Sequence, residues 1–72
     1  MKISTVKEFG EIIRNKRKSL GYTQAYVASV SGLSISFISD LERGKQTIEL
    51  GKAMLLASLL GMDVLLNDRG NK

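Results

Sequence analysis

The sequence predicts a single all-α domain of four short helices, closed by a brief C-terminal β-strand. Apolar residues recur at helical spacing in four separate stretches. Glycines at 21, 32, 44 and 61 fall between or just after those stretches, and no proline interrupts them. Seventy-two residues are enough for one domain and no more. A domain of that size buries only about 60% of the surface its unfolded chain exposes. A second copy is a natural source of the missing burial.

Thr5 is placed to cap a first helix running from Val6 to about Ser19, with Glu8 at capping-box spacing. Val6, Phe9, Ile13 and Leu20 make its apolar stripe, and Gly21 stops it. Thr23 caps a second helix, Gln24 to about Ser31, with Tyr22 and Val27 at staple spacing. Ser31-Gly32-Leu33 reads as a tight turn. A third helix follows Ser34 and ends at Arg43 before Gly44, burying Phe37, Ile38 and Leu41.

Thr47 is expected to cap a fourth helix from Ile48 to about Leu60. Leu50, Ala53, Met54, Leu55, Leu56, Ala57, Leu59 and Leu60 make this helix apolar almost all round. A single stripe suffices for a surface helix, so the excess points to a subunit interface. Met62 to Leu66 alternates as a strand would, with Met62, Val64 and Leu66 on one face. One strand in a helical chain has no partner of its own. The expectation is therefore a homodimer built on Leu55, Leu59, Met62, Val64 and Leu66.

Composition narrows the chemistry. Cysteine and histidine are both absent, which removes disulfides, thiolate sites and structural zinc. No paired-carboxylate constellation, nucleophile-base motif or Gly-rich phosphate loop is present, so no enzyme, cofactor or metal is expected. The most apolar window, residues 53–62, is about half the roughly twenty residues a membrane span needs. Residues 2–8 are largely polar and unlike a signal peptide, so a cytoplasmic protein is expected. The net charge is +4, and six of the eleven basic residues lie in the first twenty positions. The run Arg14–Lys18 is open to two readings, a solvated helix face or a phosphate-attracting patch.

Two short helices joined by a glycine-containing turn are the parts of a helix-turn-helix. Its second helix must offer a solvated face to the major groove. Ser34, Ile35, Ser36, Ser39, Asp40 and Arg43 occupy that outward face, between the apolar Phe37, Ile38 and Leu41. The stretch FGEIIRNKRKSLGYTQAYVASVSGLSISFISDLERGK, Phe9 to Lys45, resembles the Cro/C1-type (XRE) helix-turn-helix family. The match includes Thr23-Gln24, Ala28, the Gly32 turn, Ile38 and Leu41-Glu42-Arg43-Gly44. Ser31 departs from it, since the family more often has a small or branched apolar residue there.

The resemblance implies a lambda-repressor-like fold and a set of roles. Ser34, Ile35, Ser36, Ser39 and Asp40 match base-facing positions. Gln24, Arg43, Lys45 and Gln46 match phosphate-backbone contacts, with the Thr23 hydroxyl at the same edge. For Gln24 a capping amide is the other reading; Thr23 is explained by capping alone. Ile35 suits a thymine methyl, and Asp40 either accepts from a cytosine amino group or merely repels phosphate. Arg17 and Glu42 match a pair that the family keeps inside the fold. Lys16 and Lys18 remain as peripheral contacts. Glu42 to Leu66 is similar to the HipB-type antitoxins, whose core ends in a strand paired across a dimer. That implies a dimeric repressor of a palindromic operator, a HipA-like kinase toxin as partner, and a nucleoid location when DNA-bound. A free-standing or phage-type repressor, or an interaction module that no longer binds DNA, are the alternatives.

Overall fold

In the computed structural model, which describes residues 2–70, four helices follow in order: α1 Val6–Ser19, α2 Gln24–Ser31, α3 Ile35–Glu42 and α4 Leu50–Leu59. The first three begin as their sequences dictate. Thr5, Thr23 and Ser34 are extended residues whose side-chain oxygens accept from the amides of Glu8, Tyr26 and Phe37. Each satisfies a donor that the first turn leaves unpaired, contributing about 1 kcal/mol. Glu8 does not close the box on Thr5. Its carboxylate accepts instead from the Ser4 amide at 2.6 Å, one residue further back.

The core is assembled around α3. Ile38 and Leu41 are fully buried, against Ile13 of α1, Val27 of α2, and Ala53, Leu56 and Ala57 of α4. Burying each such large side chain contributes roughly 1.5–3 kcal/mol. Leu33 packs against the same core from the turn before α3. The Tyr22 ring packs at a tilt against that of Tyr26, with centroids 4.8 Å apart.

Gly10 explains why α1 can lie so close to α3. It is buried, and a Cβ there would stand 2.0 Å from the Leu41 carbonyl oxygen. Only a residue without a side chain permits that approach. A glycine inside an amphipathic helix costs about 1 kcal/mol against alanine, a signal that it serves packing. Gly44 combines two demands, a φ of +79° and a contact in which a Cβ would lie 2.7 Å from the Lys7 Cα. It ends α3 and lets the following loop pass under the start of α1.

The second half departs from expectation in three places. Arg43 is the cap of α3 rather than its last helical residue, a one-residue difference of the kind helix ends commonly show. Thr47 does not cap α4; a turn closed by the Ile48 amide on the Lys45 carbonyl takes it up. That turn carries Ile48 onto the core, so the helix starts later, at Leu50, with Glu49 as an N-cap that makes no side-chain bond. At the far end, Leu60 is the cap residue of α4.

The third departure is the strand. Residues 62–69 form neither helix nor strand in this single chain. A strand requires a hydrogen-bonded neighbour, and among the described residues no backbone segment hydrogen-bonds to this one as a ladder. Met62 turns inward, its amide donating to the Ala57 carbonyl at 2.9 Å and its side chain packing against the core. Val64, Leu65 and Leu66 line an open apolar groove of about 490 Å³ with Ile3, Phe9, Leu50 and Met54.

Candidate nucleic-acid interface

One buried ion pair holds the two-helix unit in place. Arg17 of α1 donates from Nε to Glu42 Oε2 at 2.7 Å and from Nη2 to Oε1 at 2.9 Å. Its Nη1 donates to the Tyr22 carbonyl at 2.8 Å, just before α2. Gln24, the first residue of α2, adds its amide to Glu42 Oε1 at 3.0 Å. Three hydrogen bonds converge on the one carboxylate, and a fourth from Arg17 to the Tyr22 carbonyl ties in the entrance to α2. Burial pushes the Glu42 carboxyl up. Hydrogen bonds from Arg17 and Gln24, and the charges of Arg17 and Arg14, outweigh it and hold the group below its ordinary value.

Between α2 and α3 the chain reverses through Gly32, at φ +76°. Ser31, the departure noted in the sequence, has a use here: its hydroxyl accepts from the Leu33 amide at 3.1 Å. The tight turn leaves the outer face of α3 open. Ser34, Ile35 and Ser36 are exposed, and Ser39 and Asp40 are half-buried. Ile35 exposes 49% of its surface, an apolar side chain offered to solvent in the middle of a polar face.

The hydroxyls on this face differ in what they have left to give. Ser34 accepts from the Phe37 amide and keeps its O–H and a second lone pair. Ser39 accepts from Arg43 Nη1 at 2.9 Å. Asp40 is surrounded by cations: Arg43 Nη2 lies at 2.8 Å and Lys45 Nζ at 3.4 Å. Its backbone carbonyl accepts from the Lys45 amide as well. Spacing alone does not reveal this cluster, because the loop after Gly44 must fold back to bring Lys45 to Asp40.

The backbone-contact candidates divide. Thr23, Lys45 and Gln46 are exposed at the edges of the unit. Gln24 is half-buried, with one amide N–H committed to Glu42 and the other still to give. The Arg43 head folds back along α3 over Ser39 and Asp40. Of the basic run, Arg17 is inside and Arg14 and Lys18 are exposed.

The five dimer candidates do not form one patch on the single chain. Leu55 and Leu59 are 46% and 52% exposed on one flank of α4. Leu50 and Met54 lie across the buried stripe from them, at about 100° of helix rotation per residue. Val64 and Leu66 belong with that second pair, along the groove described above. Among the described residues no helix is long and apolar enough to cross a membrane. No three His, Cys, Asp or Glu side chains gather there as metal ligands.

A short α2, a glycine turn and an open-faced α3, braced by α1, define a helix-turn-helix. The helix-turn-helix family model matches residues 13–66. The chain belongs to that family. Two curated relatives are described as uncharacterized HTH-type transcriptional regulators. One, y4mF of Sinorhizobium fredii, is 35% identical over 63 residues, covering 88% of this chain and 83% of the relative. The other, from Haemophilus influenzae, is 32% identical over 63 residues, and this chain spans only 62% of its length. These relatives are regulators, not enzymes. Among solved structures, a HipB-O4 20mer complex superposes with a TM-score of 0.86 at 21% identity, covering 97% of this chain and 99% of that one. A HipA-HipB-O2-O3 complex matches with the same score, identity and coverage. At that identity the likeness establishes the fold.

Proposed function

We propose that the chain is a dimeric, sequence-specific DNA-binding repressor of the HipB type. The observation that carries this reading is the solvent-open face of α3, held rigid from behind by the Arg17–Glu42–Gln24 network. Ser34, Ile35, Ser36 and Ser39 approach base edges from that face, with Asp40 beside them. Thr23, Gln24, Lys45 and Gln46 contact flanking phosphates and set register without choosing sequence. Two copies, joined through the exposed leucines of α4 and a strand from the 62–66 segment of each, place two recognition helices about 34 Å apart on a palindrome. The regulator relatives and the HipB–DNA likeness support this reading.

Within it we favour an antitoxin that represses its own operon and binds a HipA-like kinase. The solved HipA-HipB assembly with a partner of this fold supports that choice. Recovery and sequencing of DNA fragments bound by the purified protein is the direct test. Enrichment of a palindrome with half-sites one turn apart, and affinity that falls steeply with salt, is the expected result. Binding indifferent to sequence and salt would leave an interaction module. Co-purification of a kinase-like neighbour at native expression separates the antitoxin from a free-standing repressor.

A further inference from the structure

The recognition face looks short of specific readers: three serines, an isoleucine and an aspartate. Serines accept from or donate to any base, and isoleucine senses only a methyl group. The side chain best suited to bidentate base recognition in this region is Arg43, just past the end of α3. Helical side chains lean toward the N-terminus, so a residue at the C-cap covers the preceding turn. Arg43 does this. Nη1 rests on the Ser39 hydroxyl at 2.9 Å and Nη2 on the Asp40 carboxylate at 2.8 Å. Both partners are base-facing positions.

Two fixed hydrogen bonds restrict a side chain that would otherwise carry large rotamer entropy. Two of the five guanidinium N–H groups are spent, leaving three. A bidentate contact to guanine O6 and N7 takes two. The side chain of Arg43 is 71% exposed, so its remaining donors face open solvent. Lys45 shares the same carboxylate from 3.4 Å, but an ammonium is a point charge without the fork that guanine matches.

We infer that Arg43, buttressed by Ser39 and Asp40, reads a guanine in the major groove instead of contacting the phosphate backbone. Asp40 is then a positioning residue: it aims the guanidinium and does not itself touch a base. This rests on the DNA-binding reading above.

The test is selection of bound duplexes from a random pool, with wild type, R43K, D40N and K45Q, followed by titration on the recovered sequence. R43K keeps the charge and loses the fork. It should lose guanine preference at one position of each half-site, with affinity for the recovered site falling about five- to 150-fold, while the salt dependence stays unchanged. D40N should weaken the same preference without lowering affinity for random duplex. K45Q should weaken binding evenly across sequences and flatten the log-log salt slope by about 0.9. The inference is overturned if R43K selects the same sequence as wild type. It is also overturned if D40N changes preference at a position that R43K leaves untouched, since Asp40 would then be the reader. A wild type that enriches no sequence overturns the DNA-binding reading itself, before any variant is made.

Discussion

The two halves of this chain solve the same problem differently. From Thr5 to Gly44, polar ends are closed by side chains: three caps, one braced turn and a buried ion pair that satisfies three elements at once. From Gln46 onward the helix has an uncapped start, a nearly unbroken apolar surface and an irregular tail. Leu50, Leu55, Leu59, Leu65 and Leu66 are between 46% and 97% exposed there. The first half is complete in one copy. The second leaves much of its apolar surface open to solvent, and the contrast is what the proposed division between DNA recognition and dimer assembly rests on.

The sharpest way to break the first half is to remove the carboxylate. E42A strands Arg17 in the interior and should cost about 3–5 kcal/mol. The whole domain is expected to hold only about 4–11 kcal/mol at this length, so E42A should remove a large fraction of it, read as a much lower denaturation midpoint by circular dichroism. Replacing both partners with apolar residues, as in R17M/E42L, should recover the fold while loosening α2 against α3. G10A comes next. Its Cβ would overlap the Leu41 carbonyl, forcing α1 off α3 at a cost of about 3 kcal/mol, read as a lowered denaturation midpoint with an unchanged slope.

Acidity acts on the same carboxylate more gently. Glu42 titrates below its ordinary 4.5 in the fold, so the unfolded chain binds more protons in that range. Its contribution is present above about 4.5 and disappears as pH falls through the lower, folded value. Denaturant melts from pH 7 to pH 3 should show stability declining below 4.5. R17M/E42L should show a shallower decline. The smallest effect on the fold itself belongs to L55S/L59S, within about 0.5 kcal/mol for the monomer because both side chains are already exposed. Its effect should appear in sedimentation, as a shift from dimer to monomer. An unchanged dimer would move the interface to the Leu50, Met54 and Leu66 flank.

Some of this was readable before any coordinates. The caps at Thr5, Thr23 and Ser34 and the glycine turn at 32 are local, decided by residues three or four apart. The exposed face of α3 follows from the same helical period that buries Ile38 and Leu41. Gly10 carried a readable anomaly, a glycine inside an amphipathic helix, whose cause lay in a backbone more than thirty residues away. The later start of α4 was not readable, because Thr47 is a good cap by type and loses that role only to the need to bury Ile48.

The sequence by itself determined the four helices, the turn that joins α2 to α3, and the polar character of the face between Ser34 and Asp40. Periodicity and capping are short-range, and a chain this small has few ways to satisfy them. Tertiary structure alone decided what the polar residues do to one another. It joined Gln24 to Glu42, brought Lys45 to the Asp40 carboxylate, and turned Met62 into the core. Hydrogen bonds depend on distances of a few tenths of an ångström between elements, and those are set only when the helices pack.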